Sequence, residues 1–239
     1  MSLLELRNVC KRRSFGGRKV VVLDDASLTI DAGELVAVWG LRGSGRTTLL
    51  RLAAGIDAPD SGTVLFAGRD LAEHGEELLG REIGYCQKSF RAGAGRASID
   101  EVIVGLLVKG VAPPEARVRA HEALQRAGGE GPLVARRISD LDGGERVRLA
   151  IAHALSVQPR LLVIDDPVAG VDLRERDGIL LLLRSLADEG IAVLMTVGDL
   201  TGLSGADQSL TIGDGELCGS PRRALEPVAD LSLRRQASG

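Results

Sequence analysis

Short apolar runs separated by polar turns recur along most of the chain, and this pattern predicts an α/β domain with buried strands. Strands that are buried on both faces of a parallel sheet are apolar throughout their length. Two runs have this character, at residues 35–38 and 161–164, and residues 191–196 and 209–212 predict further buried strands. Two shorter runs, at residues 63–66 and 83–86, predict further strands. The centre of the fold is therefore expected to be a parallel sheet.

The first part of the chain carries a different pattern. Residues 3–9 and 20–30 predict two strands, joined by a basic turn at residues 11–18. Polar residues recur within the second strand, at Asp24, Asp25, Ser27 and Thr29. Such alternation is typical of an antiparallel sheet with one solvated face. We therefore expect a separate antiparallel β subdomain.

Helical spacing predominates in the middle of the chain. Helices are predicted at residues 99–109 and 114–126, separated by Gly110 and the Pro113–Pro114 pair. Two more are predicted at residues 146–156 and 174–189. The pattern indicates one domain over residues 1–222, with a helical subdomain at about residues 90–156. A polar C-terminal tail is expected at residues 223–239.

Composition and charge narrow the class of protein. The chain of 239 residues has 33 acidic and 30 basic side chains, a net charge of −3, so it lacks the strong positive charge of a nucleic-acid-binding protein. Its three cysteines are widely spaced, which is typical of free thiols. No apolar run approaches the ~20 residues that a membrane-spanning helix needs. We expect a soluble chain that reaches a membrane only through a partner.

The ten residues Trp39–Thr48 form a glycine-rich loop between a predicted strand and a predicted helix. They match the phosphate-loop pattern G-x-x-x-x-G-K-[ST], except that Arg46 stands in place of lysine. Glycines let backbone N–H groups approach a phosphate, and the helix dipole adds partial positive charge there. The loop therefore predicts a phosphate site, although an ordinary glycine-rich turn has the same local pattern.

Two other stretches have anion-binding or cation-binding character. Asp165 and Asp166 follow directly after an apolar strand, where a carboxylate beside a phosphate loop would hold Mg²⁺; a simple capping turn is the alternative. Asp142, Gly143 and Gly144 precede a predicted helix, which makes a second helix terminus for an anion or an ordinary turn.

Phe15 is one of only three phenylalanines and falls within the predicted basic turn. It is a candidate platform for a nucleobase. A partly covered loop aromatic is an equally good interpretation.

Taken in chain order, these motifs resemble the nucleotide-binding subunit of ATP-binding cassette (ABC) transporters over residues 3–222. The shared order comprises the glycine loop, Gln87 after a short strand, a helical insertion, Leu-x-Gly-Gly-Glu, an apolar strand ending in acids, and Asp172. Residues 141–155 are similar to the signature helix of the lipoprotein-releasing, macrolide-efflux and cell-division branch. The resemblance implies a P-loop NTPase fold of ABC type, with a parallel core sheet, an antiparallel β subdomain and a helical subdomain.

The resemblance also implies a role for each motif. Asp165 would hold Mg²⁺ together with Thr47 and Gln87, and Gln87 would sense the γ-phosphate. Arg46, Gln87 and Asp166 would be the catalytic residues. Residues that would hold ATP are Phe15, Gly40, Gly43, Ser44, Gly45, Arg46, Thr47 and Thr48, with Asp142, Gly143 and Gly144 closing the site of a second subunit. Asp172 would lie on the dimer seam, and the helical insertion would receive a transmembrane permease.

Four positions depart from the family pattern. Arg46 replaces a lysine, Asp166 a glutamate, Asp142 a serine, and Gly198 or Val197 a histidine. Phosphoryl transfer depends on positioning and charge stabilisation, so these changes are expected to slow hydrolysis more than they weaken binding. We also expect that Arg46→Lys alone would change hydrolysis little, whereas Asp166→Glu together with Gly198→His would raise it.

The leading functional hypothesis is a subunit that binds MgATP, dimerises head-to-tail and drives a separate permease at the cytoplasmic face of the membrane, with weakened hydrolysis. The alternative is a pseudo-ATPase that uses ATP to regulate or scaffold a membrane complex without productive turnover. A soluble cassette ATPase of translation or repair is disfavoured, because the chain holds only one cassette and lacks a basic surface charge.

Overall fold

Two β-sheets and a helical subdomain make up the fold. The computed structural model describes residues 2–86, 95–128 and 132–219, with the backbone alone for Phe15, Pro132 and Leu133. The strands in these residues are β1 Ser2–Phe15, β2 Arg18–Asp31, β3 Leu35–Gly40, β4 Ser61–Phe66, β5 Arg69–Asp70, β6 Ile83–Cys86, β7 Leu161–Asp165, β8 Ala192–Val197, β9 Gln208–Gly213 and β10 Glu216–Gly219. The helices are α1 Arg46–Ala53, α2 Leu71–Leu78, α3 Ser98–Val108, α4 Pro113–Arg126, α5 Pro132–Ala135, α6 Gly143–Leu155 and α7 Leu173–Asp188.

The central sheet has the strand order β10-β9-β3-β8-β7-β6. All pairs from β9 to β6 are parallel, and only the β9–β10 hairpin is antiparallel. Every residue of β7 and β8 is buried, because helices or the second sheet cover both faces. The predicted parallel core of apolar strands is confirmed.

The second sheet is antiparallel, in the order β2-β1-β4-β5. The prediction of a basic turn over residues 11–18 is wrong, because β1 continues to Phe15 and β2 begins at Arg18. Gly16 and Gly17 form a two-residue turn with φ of +55° and +81°. Glycine adopts this left-handed backbone without steric cost, so the strands pair up to the turn itself. Phe15 pairs with Arg18 at the end of β1 and is not part of the turn.

The helices occupy two positions relative to the central sheet. On one face, α3, α4, α6 and α7 enclose a core that includes Leu106, Leu149 and Ile179. On the other face, α1 and the antiparallel sheet enclose a second core that includes Leu49 and Phe66. The predicted helices at 99–109 and 114–126 are confirmed to within one residue at their ends, whereas β5, α2 and α5 were not anticipated.

The predicted fold class, a parallel core sheet with an antiparallel β subdomain and a helical subdomain, is confirmed. The domain limit at residue 222, the start of the helical subdomain near residue 90 and the tail at residues 223–239 fall outside the described residues and remain predictions. Among the described helices, none has the length and apolar character required to span a bilayer.

Candidate functional site

A cleft of about 1180 Å³ opens where β3 ends and α1 begins. The glycine loop forms one wall, and the β1–β2 hairpin forms another. The lining residues are Arg13, Val20, Val21, Val22, Arg42, Gly43, Ser44, Gly45, Arg46, Thr47, Thr48, Asp165, Gly198, Asp214 and Gly215. The structure therefore brings most of the predicted phosphate-loop residues together with Asp165.

Glycine is required at two positions of the loop for steric reasons. A Cβ atom on Gly40 would lie 2.5 Å from Ile212 Cγ2 and 2.5 Å from Ser44 Oγ. Gly45 has a φ of +106°, and a Cβ atom there would lie 2.7 Å from the carbonyl oxygen of Val22. Both contacts are closer than packed atoms allow, so any side chain would push the loop out of place. The loop backbone therefore packs closely against Val22 and Ile212 just before α1, where only glycine fits.

The loop turns into α1 at Arg46, with the left-handed Gly45 as its N-cap. No acidic residue lies in the first turn of α1. The partial positive charge of the helix terminus is thus not neutralised locally, which favours an anion in the cleft.

Asp165 and Thr47 meet at the floor of the cleft. The Thr47 hydroxyl donates a hydrogen bond to Asp165 Oδ2 at 2.8 Å, and the Thr196 hydroxyl donates one to Asp165 Oδ1 at 2.8 Å. Asp165 ends β7 beside its register partner Thr196 in β8 and is only 7% exposed. The two donors fix the carboxylate in one orientation. Hydroxyl and carboxylate oxygens placed together are ligands that suit Mg²⁺.

Asp166 points in a different direction from Asp165. Its backbone has a φ of +51°, an uncommon conformation for a residue other than glycine. The Gly198 N–H donates to Asp166 Oδ1 at 3.2 Å, and Arg46 Nη1 lies 3.6 Å from Asp166 Oδ2. Such a conformation persists when surrounding contacts hold it, as the contacts from the loop and from the turn after β8 do here.

Two polar atoms of the loop are buried but lack a hydrogen-bond partner within the described residues. They are Ser44 Oγ and Arg46 Nη1. A buried donor without a partner costs on the order of 1–3 kcal/mol. Both residues line the cleft, so an anionic ligand with several oxygens would satisfy them. The loop therefore fits a phosphate chain.

Arg13 and the segment Val20–Val22 were not anticipated as site residues, because residues 11–18 were assigned to a turn. The register that pairs Arg13 with Val20 places both on the cleft. The signal in the sequence was Gly16–Gly17, which is typical of a tight hairpin turn. The side chain of Phe15 lies outside the described part of the structure, so its predicted role stays a prediction.

The guanidinium of Arg13 forms an ion pair with Asp57. Arg51 also donates two hydrogen bonds to Asp57, at 2.8 Å and 2.9 Å. The hydrogen bonds from Arg51, followed by those from Arg13, lower the pKa of Asp57 to about 2. Asp57 is therefore ionised at neutral pH and anchors Arg13 at the edge of the cleft.

Asp142, Gly143 and Gly144 do not line the cleft. Asp142 is the N-cap of α6, where Asp142 Oδ1 accepts from Glu145 N at 2.8 Å and Glu145 Oε2 accepts from Asp142 N at 3.0 Å. A Cβ atom on Gly144 would lie 2.8 Å from Glu175 Oε2, so only glycine fits there.

The other two predicted residues do not lie in the described cleft. Asp172 caps α7, accepting from Arg174 N and Glu175 N at 3.0 Å each. Gln87 lies outside the described residues.

Comparison with known proteins gives matches along most of the chain. A family model described as ABC transporter matches residues 23–169. The chain is 36% identical over 221 residues to the lipoprotein-releasing system ATP-binding protein LolD of Pseudomonas syringae pv. tomato, covering 90% of this chain and 97% of that protein. It is 38% identical over 207 residues to the protein of the same name from Chromohalobacter salexigens, covering 84% and 87%.

A solved structure agrees with these matches. It is the dimeric structure of a post-hydrolysis state of the ATP-binding cassette MJ0796 bound to ADP and Pi. The two chains superpose with a TM-score of 0.81 at 26% identity, covering 91% of this chain and 97% of that one. The similarity extends over the complete cassette and is not confined to the glycine loop.

Proposed function

The chain belongs to the ABC transporter family, and we propose that it is the ATP-binding subunit of a transporter complex of the lipoprotein-releasing kind. In this proposal it binds MgATP in the cleft, pairs with a second cassette and drives or gates a separate transmembrane permease. Its place is the cytoplasmic face of the membrane, held there by the permease. The family membership and the branch were both predicted from the sequence motifs.

The observation that carries the proposal is a pair of buried polar atoms in the loop. Within the described residues, neither Ser44 Oγ nor Arg46 Nη1 has a hydrogen-bond partner, and both lie in a wall of the cleft that glycines keep free of side chains. A buried polar group without a hydrogen bond is destabilising, and ligand oxygens that bonded to these two atoms would remove that penalty. The two atoms therefore favour a phosphate-bearing ligand. The curated relatives are named ATP-binding proteins, which supports ATP as that ligand.

Mg²⁺ is proposed to lie beside Thr47 and Asp165. The observation in its favour is the hydrogen bond between their side chains, which places a hydroxyl oxygen and a carboxylate oxygen 2.8 Å apart. Bound Mg²⁺ would neutralise part of the phosphate charge. Gln87 stays a proposed third contact on the strength of its position after β6 alone.

A second cassette and a permease are proposed partners. Asp142, Gly143 and Gly144 begin α6 away from the cleft of their own chain, which leaves them available to a neighbouring cassette. Leu41 in the loop and Leu200 after the Gly198 turn are 69% and 62% exposed beside the cleft residues, as expected of side chains that a partner covers. The neighbour bound to ADP and Pi is itself a dimer.

Weakened hydrolysis is proposed from the same site. Asp166 stands where the family has a glutamate, and its carboxylate is engaged by Arg46 and by the Gly198 N–H. A general base must reach its water within hydrogen-bond distance, and an engaged, shorter carboxylate does so less well. This ion pair also supports the second candidate, a pseudo-ATPase that binds ATP without productive turnover.

Binding is tested by titrating the purified chain with a fluorescent ATP analogue, with and without Mg²⁺. Ser44→Ala should weaken binding without lowering the melting temperature, because the hydroxyl that it removes makes no hydrogen bond to any described residue. Ser185→Ala, an exposed position on α7, is the matched control. Unchanged affinity in Ser44→Ala would argue against phosphate in this loop.

Turnover is tested in the complex formed with a co-expressed permease. Phosphate release well below the usual ~10 per second supports weakened hydrolysis, and none at all supports the pseudo-ATPase. A complex that turned over at the usual rate would contradict both.

A further inference from the structure

Three of the four departures from the family pattern lie side by side in the fold. Arg46 is the first residue of α1, Asp166 follows β7, and Gly198 follows β8. Arg46 Nη1 lies 3.6 Å from Asp166 Oδ2, and the Gly198 N–H donates to Asp166 Oδ1 at 3.2 Å. Their proximity suggests that they are not independent losses.

The ion pair between Arg46 and Asp166 is buried but incomplete. The two side chains are 13% and 6% exposed, respectively. Their separation of 3.6 Å is an ionic contact that exceeds hydrogen-bond length, and no atom in the described part of the chain makes a hydrogen bond with Arg46 Nη1. Asp166 thus holds the guanidinium by charge and leaves a donor available for a further oxygen.

Gly198 provides the space for this pair. A Cβ atom on Gly198 would lie 3.2 Å from Asp166 Oδ2 and 3.4 Å from Arg46 Nη1. Gly198 is not among the residues with positive φ, so alanine suits its backbone and only the contacts oppose it. A larger side chain would have to displace the guanidinium. The volume next to residue 198 is therefore occupied by a side chain that comes from the glycine loop.

We propose that Arg46, Asp166 and Gly198 form one interdependent unit, in which Gly198 leaves room for the guanidinium, Asp166 holds it, and Arg46 presents Nη1 to the phosphate end of the nucleotide. Asp166 is in this respect a positioning residue for Arg46. The phosphate contact rests on the proposed function, whereas the coupling of the three side chains is a property of the nucleotide-free chain.

The unit changes the expectation for reversion. Asp166→Glu with Gly198→His would add a methylene and an imidazole to a space that the Arg46 side chain already fills. Overfilling a packed site is destabilising. While Arg46 remains, the two reversions together should therefore destabilise the chain and should not raise hydrolysis. The site should accommodate them only together with Arg46→Lys, which replaces the planar guanidinium with a smaller ammonium group.

The test is a double-mutant cycle that combines Gly198→Ala with Arg46→Lys in the full chain. The first measurement is the denaturant midpoint without nucleotide, and the second is the affinity for a fluorescent ATP analogue. Gly198→Ala should lower the midpoint and weaken binding about threefold or more in the parent chain, and clearly less in the Arg46→Lys chain. Gly213→Ala, where a Cβ atom meets nothing within 4 Å, is the control and should show no coupling.

A second cycle, Asp166→Asn with Arg46→Lys, keeps the volume at 166 and removes its charge, and should also be non-additive. Additive effects in both cycles would overturn the inference while leaving ATP binding intact. Coupling in the unfolding data with no nucleotide binding in any chain would instead refute the proposed function and the phosphate contact, and would leave the structural unit standing.

Discussion

Thr47 and Asp165 are 118 positions apart in sequence, yet the Thr47 hydroxyl donates to Asp165 Oδ2 at 2.8 Å. This contact joins the start of α1 to the end of β7. Because Thr196 holds the other oxygen of the same carboxylate, the candidate metal ligands are aligned before any ligand arrives. Pre-alignment lowers the cost of ordering the site on binding.

Replacing Thr47 with valine keeps its shape and removes the hydroxyl. Thr47→Val should lower the free energy of unfolding by about 1 kcal/mol, since Asp165 loses one donor. It should also abolish most of the increase in ATP affinity that Mg²⁺ produces. Titrations with and without Mg²⁺ measure this, and Thr47→Ser is the control that retains the hydroxyl. A full Mg²⁺ effect in the valine variant would show that Thr47 is not a metal contact.

Arg13 is expected to act on the part of the ligand nearest the hairpin. Arg13→Ala should weaken binding of ATP several-fold and of inorganic tripolyphosphate much less, if the guanidinium faces the nucleobase. Competition against a fluorescent ATP analogue compares the two ligands. Phe15→Ala in the same assay tests the earlier candidate. Equal weakening of both ligands by Arg13→Ala would assign Arg13 to general charge attraction instead.

The low pKa of Asp57 predicts a defined pH dependence. Hydrogen bonds from Arg51 and Arg13 lower the pKa of this carboxyl from 3.8 to about 2 in the folded chain. The stabilisation is therefore fully present above about pH 4 and is lost as the pH falls towards 2. Since both arginines are partly exposed, the contribution at pH 7 is on the order of 1–2 kcal/mol.

Denaturant unfolding of the parent chain and Asp57→Asn over this pH range checks the prediction. The difference in stability should be largest near neutral pH and should shrink below pH 4. Glu122→Gln, at an exposed position on α4, separates the effect of Asp57 from general acid unfolding. A difference that stayed constant down to pH 2 would contradict it.

Asp142 combines a structural role with a proposed partner-facing role. As the N-cap of α6 it accepts from Glu145 N, and serine makes the same cap. Asp142→Ser should therefore leave stability nearly unchanged and raise phosphate release in the assembled complex, because it removes a negative charge that would face the partner's phosphates. Asp142→Ala should cost about 0.5–2 kcal/mol through the lost cap.

Phosphate release and chemical unfolding measured on both Asp142 variants separate the two roles. If serine and alanine accelerate turnover equally, charge alone is responsible. If neither does, Asp142 does not face a nucleotide in the complex.

The sequence was informative where one local pattern decides the structure. Residues 161–164 of β7 are all apolar, and a central strand of a parallel sheet is one of the few structures that bury every side chain of such a run. The glycine loop was predicted from its match to the phosphate-loop pattern, and the structure explains two of its glycines, since a Cβ atom on Gly40 or Gly45 would clash with neighbouring atoms. Helices α3 and α4 followed from their periodicity and from the two prolines that begin α4.

What sequence reasoning missed depends on contacts between distant positions. Arg13 reaches the cleft only because a two-glycine turn lets β1 and β2 pair to their ends. Arg46, Asp166 and Gly198 were interpreted as separate losses, since no local pattern shows that the start of α1 lies beside the ends of β7 and β8. Their shared geometry became visible only when the distances among their atoms were known.

The close approach of Gly45 to the Val22 carbonyl has a mechanical consequence. At this point the glycine loop lies between Val22 in β2 of one sheet and Ile212 in β9 of the other, so its position depends on both sheets. If heat or a remote substitution weakens the packing of either sheet, the affinity of the loop for its ligand should fall before the chain unfolds as a whole. Nucleotide affinity therefore reports on the packing between the two sheets.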